Sequence, residues 1–204
     1  WFTVDTVQKP HPQIWIAGNS PGSQLRALKG NHPLIATGFG RDADTLAEIR
    51  AGADDTWRAA GHDPNLMRFG SLRYCFVTDH KAEAFAYAEN ARFQVRLSAF
   101  LRQGQTELEA PWLPEVAFAD EMTPEDILRW NPIGDPETVA ERLVEEIQKV
   151  GSDHIALYMS IGDSDHGAVM RSIRRFGDEV IPLIEKSVGP LAGAGRFESA
   201  MAAK

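Results

Sequence analysis

The 204-residue chain is short of several things, and each shortage removes a class of answer. It has one cysteine, Cys75, inside an apolar run. No disulfide framework can form within the chain, and a reducing, cytoplasmic setting is expected. It has no surplus of cations: 21 Lys and Arg stand against 29 Asp and Glu, for a formal net charge of −8. Phosphate contacts need clustered cations, and the one local group, Arg171, Arg174 and Arg175, shares its helix with acids. No nucleic acid or anionic membrane is expected as a general partner. No stretch approaches the roughly 20 apolar residues of a membrane span, and no signal peptide is visible. The histidines are His11, His32, His62, His80, His154 and His166, none four residues from another. With no HExxH and no Cys/His pair, no metal is expected. There is no G-x-S-x-G and no Walker A pattern. The chain opens on Trp1 rather than Met, so sequence upstream is expected.

What is there is an ordinary globular mixture, 43% hydrophobic and 25% charged. Residues 13–17 (QIWIA) predict a short buried strand. A small polar turn follows, with Ser20 or Ser23 as the N-cap of a helix over 24–29 that Gly30 and Asn31 end. Residues 34–37 predict a second strand. Asp42 or Asp44 caps an amphipathic helix to residue 60, with Leu46, Ile49, Ala53 and Trp57 at spacings of three and four. Residues 67–78 (MRFGSLRYCFVT) predict the strongest strand, and residues 81–101 a helix. Residues 102–122 lack a clear period and read as an insertion or lid. Pro124 opens a short helix to Trp130, and residues 131–134 read as a turn. Asp135 opens a helix whose apolar stripe is Val139, Leu143, Ile147 and Val150, ended by Gly151. Residues 152–160 predict the fourth strand, and a last helix runs through residue 184. The tail, 189–204, is rich in small residues and is expected to be mobile or bound to a partner. Four β-α units with apolar, weakly alternating strands predict an α/β fold with a parallel sheet. An open flavodoxin-like sheet is the competing topology.

Several segments carry a family resemblance. KPHPQIWIAGNSPGSQLRAL (residues 9–28) resembles the fifth strand and following helix of the bacterial luciferase-like flavin monooxygenases. MRFG at 67–70, with the apolar strand after it, resembles their seventh strand. IGDPETVAERLVEEIQKVGSDHIALY (133–158) resembles the helix and eighth strand that close their barrel, and FGDEVIPLI (176–184) resembles their last helix. The resemblance implies a (β/α)8 TIM-type barrel of which this chain is the C-terminal half, over residues 1–188. A half-barrel leaves two bare sheet edges, so it implies a partner: an N-terminal half or a second subunit.

The turn after the first strand is Gly18-Asn19-Ser20-Pro21-Gly22-Ser23. Opening a helix, it offers free N–H groups and a positive dipole end. The resemblance puts a flavin phosphate here, with Gly18, Asn19, Ser20, Gly22 and Ser23 as cofactor-binding residues; a plain N-cap with a tight turn is the other reading. Phe39, in the loop Thr37-Gly38-Phe39-Gly40-Arg41, lies where the family's sixth strand meets flavin and substrate, or in a simple connection. Arg41 is read as solvated, a phosphate or carboxylate partner being the other reading. On the third strand, alternation puts Leu72, Tyr74 and Phe76 on one face and Ser71, Arg73 and Cys75 on the other. Leu72 and Tyr74 occupy places where some family members carry Arg and His, which argues for a substrate less polar than a sulfonate. Phe39 and Tyr74 are the candidate substrate-binding residues, Tyr74 also fitting a core tyrosine. Cys75 reads as a buried small residue. His166 is an acid–base candidate or a surface histidine, and Asp163 and Asp165 are candidate caps. The catalytic set is not identified.

The resemblance implies an FMN-dependent monooxygenase: reduced FMN, supplied by a flavin reductase, reacts with dioxygen, and a small, apolar organic substrate is oxygenated. A deazaflavin-dependent hydride transfer on the same scaffold is the alternative. A non-catalytic half-barrel that binds a partner chain is the reading from a different class.

Overall fold

The computed structural model describes residues 7–9, 11–102 and 116–192. Most of the expected lid and tail therefore lies outside the described residues. The elements are β1 (Ile16–Ala17), α1 (Pro21–Gly30), β2 (Leu34–Thr37), α2 (Ala43–Ala59), β3 (Phe69–Tyr74), β4 (Phe76–Val77), α3 (Lys81–Arg102), α4 (Pro124–Trp130), β5 (Ile133–Gly134), α5 (Pro136–Val150), β6 (His154–Tyr158), α6 (His166–Arg175) and α7 (Ile181–Val188). A π-helical turn, Phe176–Val180, joins the last two helices.

The helix boundaries have local causes. Ser20 caps α1 by accepting the Ser23 N–H, and Asn31 ends it in the left-handed region at φ 49°. Asp42, not Asp44, caps α2 through the Thr45 N–H at 2.8 Å. Thr123 and Asp126 form a reciprocal capping box on α4. Asp135 caps α5 and Gly151 closes it at φ 63°. Asp165 caps α6 through the Ala168 N–H at 2.7 Å.

The main sheet has the order β1-β2-β3-β6, and every pair is parallel. Because the strands follow one another in a single direction, right-handed crossovers put their helices on one side. α1, α2, α5 and α7 contact one another in that sequence and form one layer. A doubly wound sheet needs a reversal of strand order, and among the described residues the main sheet has none. The flavodoxin-like alternative is thereby corrected.

The two faces of the sheet differ. Toward the helices, Leu34, Ala36 and Phe69 pack with Ala27, Leu46, Ala53, Trp57 and Val150. Ile155 and Leu157 pack with Val139, Leu143 and Ile184. On the opposite face, Ile35, Leu72 and Ala156 are half-buried and Tyr158 is exposed. The floor of that face is closed by Trp15, which lies 5.2 Å from the His154 ring and takes the Arg68 guanidinium 5.6 Å from its own ring. Gly70 makes room for it: a Cβ there would meet the indole at 3.3 Å and the His154 carbonyl oxygen at 2.8 Å.

Four sequence expectations change. The strand over 13–17 is paired only at Ile16–Ala17. The run 67–78 breaks at Cys75, whose N–H turns to the Tyr158 carbonyl at 3.3 Å. Beyond it, β4 leaves the main sheet and pairs parallel with β5. Residues 133–134, read as part of a turn, are thus a strand: the pairing is with residues more than fifty positions away, and local sequence carries no trace of it. The expected last helix extends to Val188, with the π turn inside it.

Candidate active site

A cavity of about 700 Å³ opens at the carboxyl ends of β1, β2 and β3. Asn19 and Thr37 form one side and Phe39, Tyr74 and Met122 another, with Gln94, Ser98 and Arg102 of α3 facing them. Arg41 also lines it, and its side chain is exposed, as the sequence suggested. Three expected residues, Asn19, Phe39 and Tyr74, are therefore brought to one cavity.

Each arrives for a different reason. The Asn19 side chain continues the β1–β2 ladder past the end of β1: its Nδ2 donates to the Thr37 carbonyl at 3.0 Å, and its Oδ1 accepts the Thr37 N–H at 2.8 Å. Phe39 stacks on Tyr74 with ring centroids 4.1 Å apart and planes 14° from parallel. Tyr74 is itself almost wholly buried, and its hydroxyl donates to Gln94 Oε1 at 3.1 Å. It is both a core tyrosine and a wall of the cavity. Burial pushes its phenol well above the ordinary range, so the group stays a donor and cannot serve as a base at working pH. Burial likewise pushes the Cys75 thiol far up, and the thiol is fully enclosed.

The turn into α1 lies beside Asn19. The Ser20 hydroxyl is used on the Ser23 N–H and lies 3.2 Å from the Ser23 hydroxyl. Gly18, at φ 148°, packs so closely that a Cβ would meet Ser23 Oγ at 2.4 Å. Gly22 is different: a Cβ there would meet nothing closer than 3.8 Å, so the space above it is open. His166 is exposed at the first turn of α6 and does not line the cavity.

Sequence reasoning missed two features. Tyr158, at the carboxyl end of β6, lies 6.0 Å from Phe39 and 6.4 Å from Tyr74 between ring centroids, making an aromatic trio across three strand ends. Its signal was an aromatic residue closing an apolar strand. Arg73 and Glu146 form a buried pair behind the site, Nε to Oε2 at 3.1 Å. Glu146 sits three residues after Leu143 and four before Val150, on the apolar stripe of α5, which marks a carboxylate that must find a buried partner.

A one-sided parallel layer with a mixed aromatic and polar cavity at its carboxyl strand ends defines a parallel α/β fold. More narrowly, the model of the luciferase-like monooxygenase family matches residues 1–154, and the chain belongs to that family. A relative in Sinorhizobium fredii, uncharacterized protein y4vJ, is 35% identical over 189 residues, covering 92% of this chain and 54% of that protein. The fold is similar to that of the oxygenating constituent of 3,6-diketocamphane monooxygenase of Pseudomonas putida, solved in complex with FMN: TM-score 0.58, 22% identity, 85% of this chain and 49% of that one. It is also similar to an F420-dependent secondary alcohol dehydrogenase: TM-score 0.54, 19% identity, 86% of this chain and 50% of that one. The chain spans about half the length of the relatives it matches.

Proposed function

We propose that this chain is the C-terminal, flavin-binding half of a β/α barrel in an FMN-dependent monooxygenase that oxygenates a small apolar substrate. The observation that carries the reading is the cavity at the carboxyl strand ends, walled by the stacked Phe39 and Tyr74 and edged by Asn19, Gln94, Ser98 and two arginines. Aromatic walls suit a flat heterocycle, the polar groups suit its oxygen and nitrogen edges, and cations with an open helix N-terminus suit its phosphate. Reduced FMN, delivered by a flavin reductase, supplies the reaction with dioxygen.

The chain's own residues bind and orient. The open space above Gly22 and the start of α1 take the phosphate; Gly18, Asn19, Ser20 and Ser23 shape that cradle. Asn19, tied to both backbone groups of Thr37, fixes the edge of the cavity. Phe39 and Tyr74 present apolar surface and exclude water, and the protonated Tyr74 phenol holds the Gln94 amide in place. The half-open face of the sheet and its two edges, β1 and β6, are completed by the N-terminal half of the barrel or by a second subunit.

Titrating the full-length protein with FMN and FMNH2, then measuring oxygen uptake against product with hydrocarbon-like substrates, tests the reading. Flavin binding with oxygen-dependent turnover is the expected result. Protein that binds no flavin would leave the non-catalytic reading. The likeness to an F420-dependent dehydrogenase favours one second reading, hydride transfer with a deazaflavin; reduction of the deazaflavin by an alcohol without oxygen would select it.

A further inference from the structure

The mouth of the cavity is set by the loop from Gly38 to Arg41, and that loop is held from beneath by one side chain. Arg73 rises from β3 on the helix-covered face and is 3% exposed in its side chain. Its Nη1 donates to the Gly38 carbonyl at 2.7 Å and to the Arg41 carbonyl at 2.6 Å. Its Nη2 donates to the Trp130 carbonyl at the end of α4. Nε faces Glu146, whose other oxygen accepts from the Ser71 hydroxyl. Both ends of the loop and the end of α4 thus meet on one guanidinium.

The loop's composition follows from that contact. A Cβ on Gly38 would stand 2.9 Å from Arg73 Cδ, 3.0 Å from Nη1 and 3.0 Å from the Leu72 carbonyl oxygen. Only glycine lets the backbone come down onto the guanidinium. Gly40 lies at φ 63° with Met122 packed where a Cβ would be, so the chain turns sharply between the two anchored carbonyls. Phe39, between the glycines, is thereby aimed at Tyr74.

A buried ion pair is a weak device for stability, because desolvation offsets most of the attraction. Burial raises the Glu146 carboxyl's pKa and lowers that of the Arg73 guanidinium, the attraction between them opposing both shifts. The cost is better understood from the geometry of the donors: a planar guanidinium serves several fixed carbonyls at once in a rigid fork, which no apolar residue can do and a compact ammonium does less well. We infer that Arg73, neutralised by Glu146, is a positioning residue that tethers the Gly38–Arg41 loop and so fixes Phe39 and the cofactor cavity. Its link to the cofactor rests on the flavin-binding reading above; its link to the loop does not.

The test is made in the full-length protein with the double variant Arg73→Met/Glu146→Leu. Removing both charges together leaves no unpaired buried ion, so the fold is retained, while the loop carbonyls lose their donors. Native-state trypsin cleavage of the Arg41–Asp42 bond, followed by mass spectrometry, should rise about tenfold as the loop opens locally. The FMN dissociation constant should rise about tenfold while the variant still unfolds in one cooperative transition. Arg73→Lys, which keeps a charge opposite Glu146 but cannot serve two carbonyls as well, should show the same increase in cleavage. A folded variant of either kind that keeps wild-type protection of Arg41–Asp42 overturns the inference. So does failure of both to fold, which would make the pair a determinant of folding instead. If the wild type binds no flavin, the functional reading falls and the cleavage result still decides the tether.

Discussion

The two faces of the four-stranded sheet are built from alternate residues of the same strands and end in different states. On the covered face, Leu34, Ala36 and Phe69 are wholly buried, and even the polar Ser71 and Arg73 are sealed under α5. On the other face, Ile35 and Leu72 are only half-buried and Tyr158 is 39% exposed. The difference teaches a division of labour. The covered face holds the chain together, whereas the open face keeps apolar and aromatic side chains partly exposed; under the proposed function, a ligand or a further polypeptide covers them there.

The comparison is put to its hardest test by substituting one residue from each face. Phe69→Ala, beneath the Arg50 guanidinium at 4.9 Å, should lose about 3–5 kcal/mol in urea unfolding of this segment. Ile35→Ala in the same segment should lose less, on the order of 1 kcal/mol, because the side chain is incompletely buried. If the two costs become equal once the proposed N-terminal half is supplied, the open face is covered there.

A second test separates stability from binding at the strand ends. Gly22→Asp places a carboxylate at the second position of α1, in open space and in a favourable place for the helix dipole. Unfolding should be unchanged or slightly harder, while FMN affinity should fall at least about tenfold through like-charge repulsion, worth about 1.4 kcal/mol. Equal affinities by titration would remove the phosphate from this turn.

Tyr74 spans both roles, and a milder change divides them. Tyr74→Phe removes one buried hydroxyl and its bond to Gln94, and should cost about 1 kcal/mol by denaturant unfolding. With Gln94 released, the coupling of oxygen use to product should worsen while the Phe39 stack remains. Unchanged coupling would confine Tyr74 to the core.

The smallest effect concerns the covered side alone. The Asp42 carboxyl is held below its ordinary value chiefly by the bond from Thr45. The unfolded chain then takes up the proton first, so the stabilisation is present above about pH 4 and is lost as pH falls below it. Because Asp42 is largely solvated, the loss should stay under about 1 kcal/mol. Asp42→Asn should keep the cap and flatten the acid limb of stability measured from pH 3 to 6. An unaltered limb would show that other carboxylates govern it.

What the sequence determined by itself is what short-range chemistry decides. It narrowed the helix starts to Ser20 or Ser23, Asp42 or Asp44, the turn before Pro124, Asp135, and Asp163 or Asp165, because such side-chain oxygens reach an N–H two or three residues on; the structure selects Ser20, Asp42, Thr123 and Asp165. The period of α5 marks its buried stripe, and alternation along β3 separates Tyr74 from Arg73. The family motifs located the strand-end loops, so Asn19, Phe39 and Tyr74 could be named before any coordinates. Tertiary structure alone decided the rest. It broke the 67–78 run at Cys75, because β4 pairs with β5 and no local signal announces a partner so distant. It brought Tyr158 to the aromatic group by setting β6 beside β3, in register Tyr74 to Tyr158. It joined Ser71 and Arg73 to Glu146 across more than seventy residues and laid the Gly38–Arg41 loop on that pair. A buried charge in the sequence shows that a partner must exist; only the packing of α5 against the sheet selects which one.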